Sequence, residues 1–141
     1  MDVNSSISLL SHIHSITADF LTQKLSERGF PEFASSHGNI LFQLSVNEKM
    51  TMGELAERIN RDKSTTTVLV RKLEAEGFLT GTPDPSDKRS RIIYLTDKGK
   101  QFNKTAMELS KELLETFYKG FTEEEKNNFF QTLLRIKNNF N

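Results

Sequence analysis

The chain contains no cysteine and no tryptophan, and only 3 prolines and 7 glycines in 141 residues. Without cysteine there is no disulfide scaffold, thiolate zinc site, iron–sulfur cluster, cysteine nucleophile or thiol redox sensor. No segment reaches the roughly 18 apolar residues that a bilayer-spanning helix needs. The first ten residues carry Asp2 and no Lys or Arg, so they do not read as a signal peptide. A soluble, cytoplasmic protein without a membrane partner is expected. Excess charge of one sign is absent too, because 19 Lys and Arg balance 19 Asp and Glu. Any nucleic-acid partner must therefore be read from a local patch. The length suits one domain carrying an oligomerisation element.

Catalytic signatures are equally scarce. There is no HExxH, Gly-rich phosphate loop, nucleophile elbow or EF-hand loop. The histidines are His12, His14 and His37. His12 and His14 are two apart and point to different helix faces, so they cannot form an i, i+4 metal pair. No enzyme, metal site or cofactor is expected.

What the chain does have is helical period. Leu9, Ile13, Ile16 and Phe20, followed by Leu21 and Leu25, lie on one face of a helix over roughly 5–28, ended by Gly29 and Pro31. A second helix is expected over 35–47. Thr51 and Glu54 have capping-box spacing ahead of Leu55, Ala56 and Ile59. Asp62 caps a fourth helix with Thr66, Leu69, Val70 and Leu73 inward, ended by Gly77. Two strands follow, at 78–80 and 91–96, separated by a stretch dense in turn formers. Phe102, Ala106, Leu109, Leu113 and Phe117 then mark a long helix that stops at Gly120. Thr122 and Glu125 open a last one with Phe129, Leu133, Ile136 and Phe140 on its face.

A short helix, tight turn, second helix and β-hairpin form a winged helix-turn-helix, here over 51–60, 62–76 and 78–96. The expected fold is mostly α with a small antiparallel β-hairpin. In this arrangement the second helix can enter the major groove of double-stranded DNA and the hairpin can reach the adjacent minor groove. A winged-helix lobe over about 35–99 leaves terminal helices at about 1–30 and 100–141. Their wide apolar faces, including Leu113, Leu114, Phe117, Tyr118, Phe129, Phe130, Leu133 and Leu134, point to a twofold homodimer suited to a pseudo-palindromic operator. The alternative is that these helices fold back on their own chain.

The run Asp84-Pro85-Ser86-Asp87-Lys88-Arg89-Ser90-Arg91-Ile92-Ile93-Tyr94-Leu95-Thr96-Asp97-Lys98-Gly99 resembles the wing signature of the MarR family of bacterial transcription regulators. That signature has Asp, any residue, Arg, then an apolar strand and Leu-Thr-x-x-Gly. Residues 62–67 and 72–77 resemble the family's recognition helix, and the helix order matches over nearly the whole chain. The resemblance implies a dimeric DNA-binding repressor, sometimes an activator, often released by a small aromatic or anionic ligand. It also implies a pocket where the N-terminal helix, the second helix and the DNA-binding lobe meet. His14, Phe20, His37 and Phe102 are its candidate lining. Some relatives bind zinc through histidines on the helix before the last. Residues 97–120 here contain none, so zinc sensing is not expected. One departure matters: Val68 stands where the family often carries Arg. Valine cannot donate to guanine but can contact a thymine methyl.

Charge supports the same assignment. Residues 58–91 carry eight basic side chains (Arg58, Arg61, Lys63, Arg71, Lys72, Lys88, Arg89, Arg91) and five acidic ones (Asp62, Glu74, Glu76, Asp84, Asp87). That gives 8 − 5 = +3 in a chain whose total is zero. Major-groove contact is expected from Ser64, Thr65, Thr67, Val68 and Arg71. Lys63 and Lys88 are further DNA-contact candidates, with Lys72 a phosphate contact or simply solvated. Arg89 at the hairpin tip suits a narrow minor groove, with Asp87 orienting it through a bidentate pair. The competing reading is a winged-helix protein–protein module without DNA binding, against which the wing arginine and the basic patch argue.

Overall fold

The computed structural model describes residues 1–30 and 35–141. After a 3-10 turn at Val3–Ser5 come α1 (Ser6–Glu27), α2 (Ser35–Asn47), β1 (Lys49–Thr51), α3 (Met52–Arg58) and α4 (Lys63–Ala75). They are followed by β2 (Leu79–Asp84), β3 (Asp87–Leu95), α5 (Asp97–Phe117) and α6 (Glu123–Asn138). Pro31, expected to help end the first helix, lies outside the described residues.

Local chemistry sets the helix starts. Thr51 and Thr122 each make a full capping box, with Glu54 and Glu125 respectively reaching back to the cap amide. Asp62 and Thr96 cap α4 and α5 by accepting from the amides of Thr65 and Gly99. At the far end of α4, Gly77 takes φ +83°, which lets the Phe78 amide return to the Leu73 carbonyl at 2.9 Å. The chain leaves that turn directly into the sheet.

The sheet has three strands, not the two expected, in the order β1-β3-β2 and antiparallel throughout. Lys49, Met50 and Thr51 pair with Tyr94, Ile93 and Ile92. The added strand β1 was hidden in the sequence because only three residues form it and only Met50 is buried. Glu48, at φ +57°, turns the chain from α2 into it. The wing strands also run further toward the tip than expected, to Asp84 and from Asp87.

One core joins these pieces: Ile40, Leu41 and Leu44 of α2, Leu55 of α3, Val70 and Leu73 of α4, and Phe78, Leu79, Ile93 and Leu95 of the sheet region. Phe102 of α5 completes it, edge-on to Phe30 (5.3 Å between ring centres) and to Phe78 (5.8 Å). The lobe therefore does not end at 99. Phe102 is buried in it, Thr105 and Leu109 are buried further along α5, and the Asn103 side-chain amide donates to the Leu41 carbonyl at 2.8 Å.

The remaining helical surface is less covered. α1 and α6 hold no buried residue. α1 lies along α5, with Lys24–Glu112 at 3.3 Å and Arg28–Glu108 at 3.6 Å. Ile16, Leu114, Phe130 and Ile136 stand exposed. No helix among the described residues is long and apolar enough to cross a membrane.

Candidate nucleic-acid interface

The α3–turn–α4 unit is built to present one face of α4. Asn60 takes φ +56° in the turn. Asp62 then closes it: its carboxylate accepts from the Thr65 amide at 2.7 Å and the Thr65 hydroxyl at 2.9 Å. The Thr65 amide, then its hydroxyl, holds the Asp62 carboxyl below the usual carboxylate range. Thr66, Val70 and Leu73 are buried. Helical period leaves Ser64, Val68 and Arg71 on the opposite side, all exposed, with Thr67 half-buried beside them.

The hydroxyls are more committed than the sequence suggests. Thr65 donates to Asp62, and Thr67 donates to the Lys63 carbonyl at 2.8 Å. Each spends its proton inside the helix, so toward a base edge it offers lone pairs. Val68 is 66% exposed on an otherwise polar face, an apolar tip available to a methyl group. Lys63, Arg71 and Lys72 are exposed as well.

The wing turns at Pro85-Ser86. Asp84 accepts from the Ser86 amide at 2.9 Å and its hydroxyl at 2.8 Å. Pairing is regular from Leu79↔Leu95 to Pro83↔Arg91 and then shifts, with Asp84 opposite Asp87. Lys88 and Arg89 fall in the shifted stretch and are exposed. Asp87 does not hold the Arg89 guanidinium as expected. Its carboxylate accepts from the Arg89 backbone amide at 2.9 Å, so it shapes the strand where Arg89 starts and leaves the side chain to project. The reason is reach: a short carboxylate two residues away meets the nearby amide first.

Sequence reading missed one element of this site. Arg91, counted only as part of the basic patch, makes a two-pronged ion pair with Glu74 of α4, at 2.8 and 3.1 Å. The two residues are 17 apart, and no local spacing rule links a helix to a strand across a turn.

The four candidate ligand residues lie on three helices, His14 and Phe20 on α1, His37 on α2 and Phe102 on α5. Phe20 borders an apolar cleft of about 450 Å³ between α1, α5 and α6, along with Ile13, Ile16, Leu113, Phe117 and Phe129. Its neighbour His14 is exposed and not part of that lining. Phe102 is buried in the core. His37 is buried on α2, where burial first, and then the charge of Lys72, lowers its pKa against the opposing effect of Glu76. A second, larger cleft of about 730 Å³ has no signature in the sequence. Leu44, Tyr94, Leu95 and Met107 line it, with Lys49, Lys100 and Lys104 among its polar groups.

These elements define a winged helix-turn-helix protein. The model of the MarR family matches residues 34–90. YybA of Bacillus subtilis (strain 168), named as an uncharacterised HTH-type transcriptional regulator, is 28% identical over 117 residues, 82% of this chain and 78% of that protein. SarZ of Staphylococcus saprophyticus, an HTH-type transcriptional regulator, is 35% identical over 78 residues, 55% of this chain and 53% of SarZ. The match thus spans about half the length of SarZ. Among solved structures, a mutant MarR from E. coli complexed with operator DNA shares the fold with a TM-score of 0.74 at 20% identity, over 96% of this chain and 99% of that one. Over residues 34–90, the winged helix-turn-helix, the chain is similar to the MarR family.

Proposed function

We propose that this protein is a dimeric, sequence-specific DNA-binding transcriptional regulator, a repressor whose grip on a pseudo-palindromic operator is modulated by a small ligand. The observation that carries this reading is the joint display, on one rigid lobe, of the outer face of α4 and of the wing tip with Lys88 and Arg89. On this reading Ser64, Thr65, Thr67, Val68 and Arg71 meet base edges in the major groove. Lys63 and Lys88 meet phosphates, Arg89 enters the minor groove, and Asp87 sets the strand from which Arg89 projects. The names of YybA and SarZ, and the operator DNA bound by the MarR neighbour, support it. No catalytic step is part of it.

The second copy belongs on the apolar faces of α1, α5 and α6. Leu114, Phe121, Phe130 and Ile136 are between 44% and 56% exposed there, more apolar surface than scattered single residues explain. A twofold axis through those helices would set the two α4 helices about one DNA turn, roughly 34–36 Å, apart. A small aromatic or anionic ligand suits the cleft of about 730 Å³, whose apolar floor is flanked by Lys49, Lys100 and Lys104. That cleft lies between the sheet and α5, where an occupant can change the angle of the lobe to the dimer helices. The test is titration of operator-bound protein with benzoate, followed by fluorescence anisotropy. Release that is blunted in Lys104→Ala supports the site, and release unaffected by Lys104→Ala removes it.

A further inference from the structure

Arg91 stands where a helix and two strands meet. Its guanidinium donates to both carboxylate oxygens of Glu74, from Nη1 to Oε2 at 3.1 Å and from Nη2 to Oε1 at 2.8 Å. Nη2 also donates to the Gly81 carbonyl at 3.3 Å. Glu74 lies in the last turn of α4, Gly81 in β2 and Arg91 in β3. One planar fork therefore ties the recognition helix to both strands of the wing. Gly81 makes room for it: a Cβ there would lie 3.1 Å from Nη2 and 3.0 Å from the Ile92 carbonyl oxygen.

The placement of this fork gives it a task. Regular wing pairing ends at Pro83↔Arg91, and the register shifts beyond it. Pro83 has no N–H to donate, so the backbone ladder is weakest at this point. The tip with Lys88 and Arg89 projects from here. Among the described residues, no other side-chain hydrogen bond or ion pair joins α4 to β2 or β3. The Asp84–Ser86 and Asp87–Arg89 bonds are internal to the tip and set its shape, not its direction. With side chains 34% and 45% exposed, the pair adds little to global stability. Its effect is on angle.

We propose that Glu74 is a positioning residue: acting through Arg91, it fixes the wing against α4 so that Arg89 and the outer face of α4 engage adjacent grooves of one duplex. This rests on the DNA-binding reading above.

The test compares wild type with Glu74→Gln, Arg91→Lys and the exchanged double variant Glu74→Arg/Arg91→Glu. The duplex is one selected by the wild-type protein from a random pool. Affinity is read by anisotropy, groove contacts by hydroxyl-radical footprinting, and folding by circular dichroism and thermal midpoint. Glu74→Gln and Arg91→Lys are expected to keep their spectra and their midpoints within about 2 °C. Each should lose about tenfold in affinity for the selected duplex. Both should lose the minor-groove protection made by the wing while keeping protection along the major groove, and the exchanged variant should regain part of both. Wild-type affinity and footprint in both single variants would overturn the proposal. A uniform gain in affinity for every duplex in Glu74→Gln would also overturn it, because Glu74 would then be masking Arg91 from phosphates. A wild type that binds no duplex at any salt would overturn the DNA-binding reading and this proposal together, whereas the first two outcomes leave that reading intact.

Discussion

Gly99 at the start of α5 is pressed against the Phe78 carbonyl: a Cβ on Gly99 would lie 2.0 Å from that oxygen. The contact seats α5 on the turn between α4 and β2. Thr96 completes the junction, its amide donating to the same Phe78 carbonyl at 3.2 Å and its hydroxyl to the Gly77 carbonyl, while it accepts from the Gly99 amide at 3.2 Å. The spacing Leu95-Thr96-Asp97-Lys98-Gly99 is thus a packing requirement. Gly99→Ala must push backbone apart, and a loss of roughly 1–3 kcal/mol is expected. Urea unfolding followed by circular dichroism measures it, and an unchanged midpoint would contradict the packing.

The Asp62 cap carries a pH signature. Its folded pKa is lowered, chiefly by the Thr65 amide. A depressed carboxylate contributes stability that is present above its unfolded pKa and is lost as pH falls through the folded value. Asp62→Asn keeps a side-chain acceptor for the cap but has no charge to titrate. Wild type is therefore expected to be the more stable at pH 7, with the difference shrinking through the acid range. Thermal midpoints of both proteins from pH 7 down to pH 2 test this, and a gap that stays constant would assign it to something other than the carboxylate.

Arg89 and Val68 should separate by the kind of affinity they support. Arg89→Ala is expected to weaken binding to all duplexes and lower the salt slope by about one unit. Val68→Ala removes apolar surface that is 66% exposed and makes no charge contact. It should weaken a selected operator while leaving random duplex binding and the salt slope unchanged. Log–log salt titrations on both duplexes show this, and a common effect of the two variants would place them on one contact type.

Much of this layout was legible from residue spacing. The helices announce themselves by steps of three and four, and by Thr51 with Glu54, Asp62, and Thr122 with Glu125, whose caps form in the structure. The wing is visible in the apolar strand residues Ile92, Ile93 and Leu95 after a turn-rich stretch. What the sequence hides is tertiary. β1 exists because β3 offers it an edge, and three residues carry no pattern of their own. The apolar stripe of α5 divides, with Phe102 buried in the lobe core, Leu109 buried and Leu114 left 56% exposed. Glu74 and Arg91 meet only because the turn at Gly77 folds the wing back along α4. Asp87 does meet Arg89, but at its backbone amide and not at its guanidinium.

The proposed dimer would use the uncovered half of that surface. Phe130 on α6 is 53% exposed. Phe130→Asp would place a charge in the paired helices, a site where an unpaired carboxylate is strongly disfavoured. Sedimentation equilibrium is expected to give a mass near twice 16.2 kDa for wild type and a shift toward monomer for the variant. A monomeric wild type would contradict the assignment of these helices.

The most direct measurement is fluorescence anisotropy of the wild-type protein against a random duplex and a duplex it has itself selected, at roughly 50 to 200 mM salt. Steeply salt-dependent binding to both, tighter for the selected duplex, is the expected result. No binding to either duplex at the lowest salt would contradict the account, and the winged helix would then serve a protein partner.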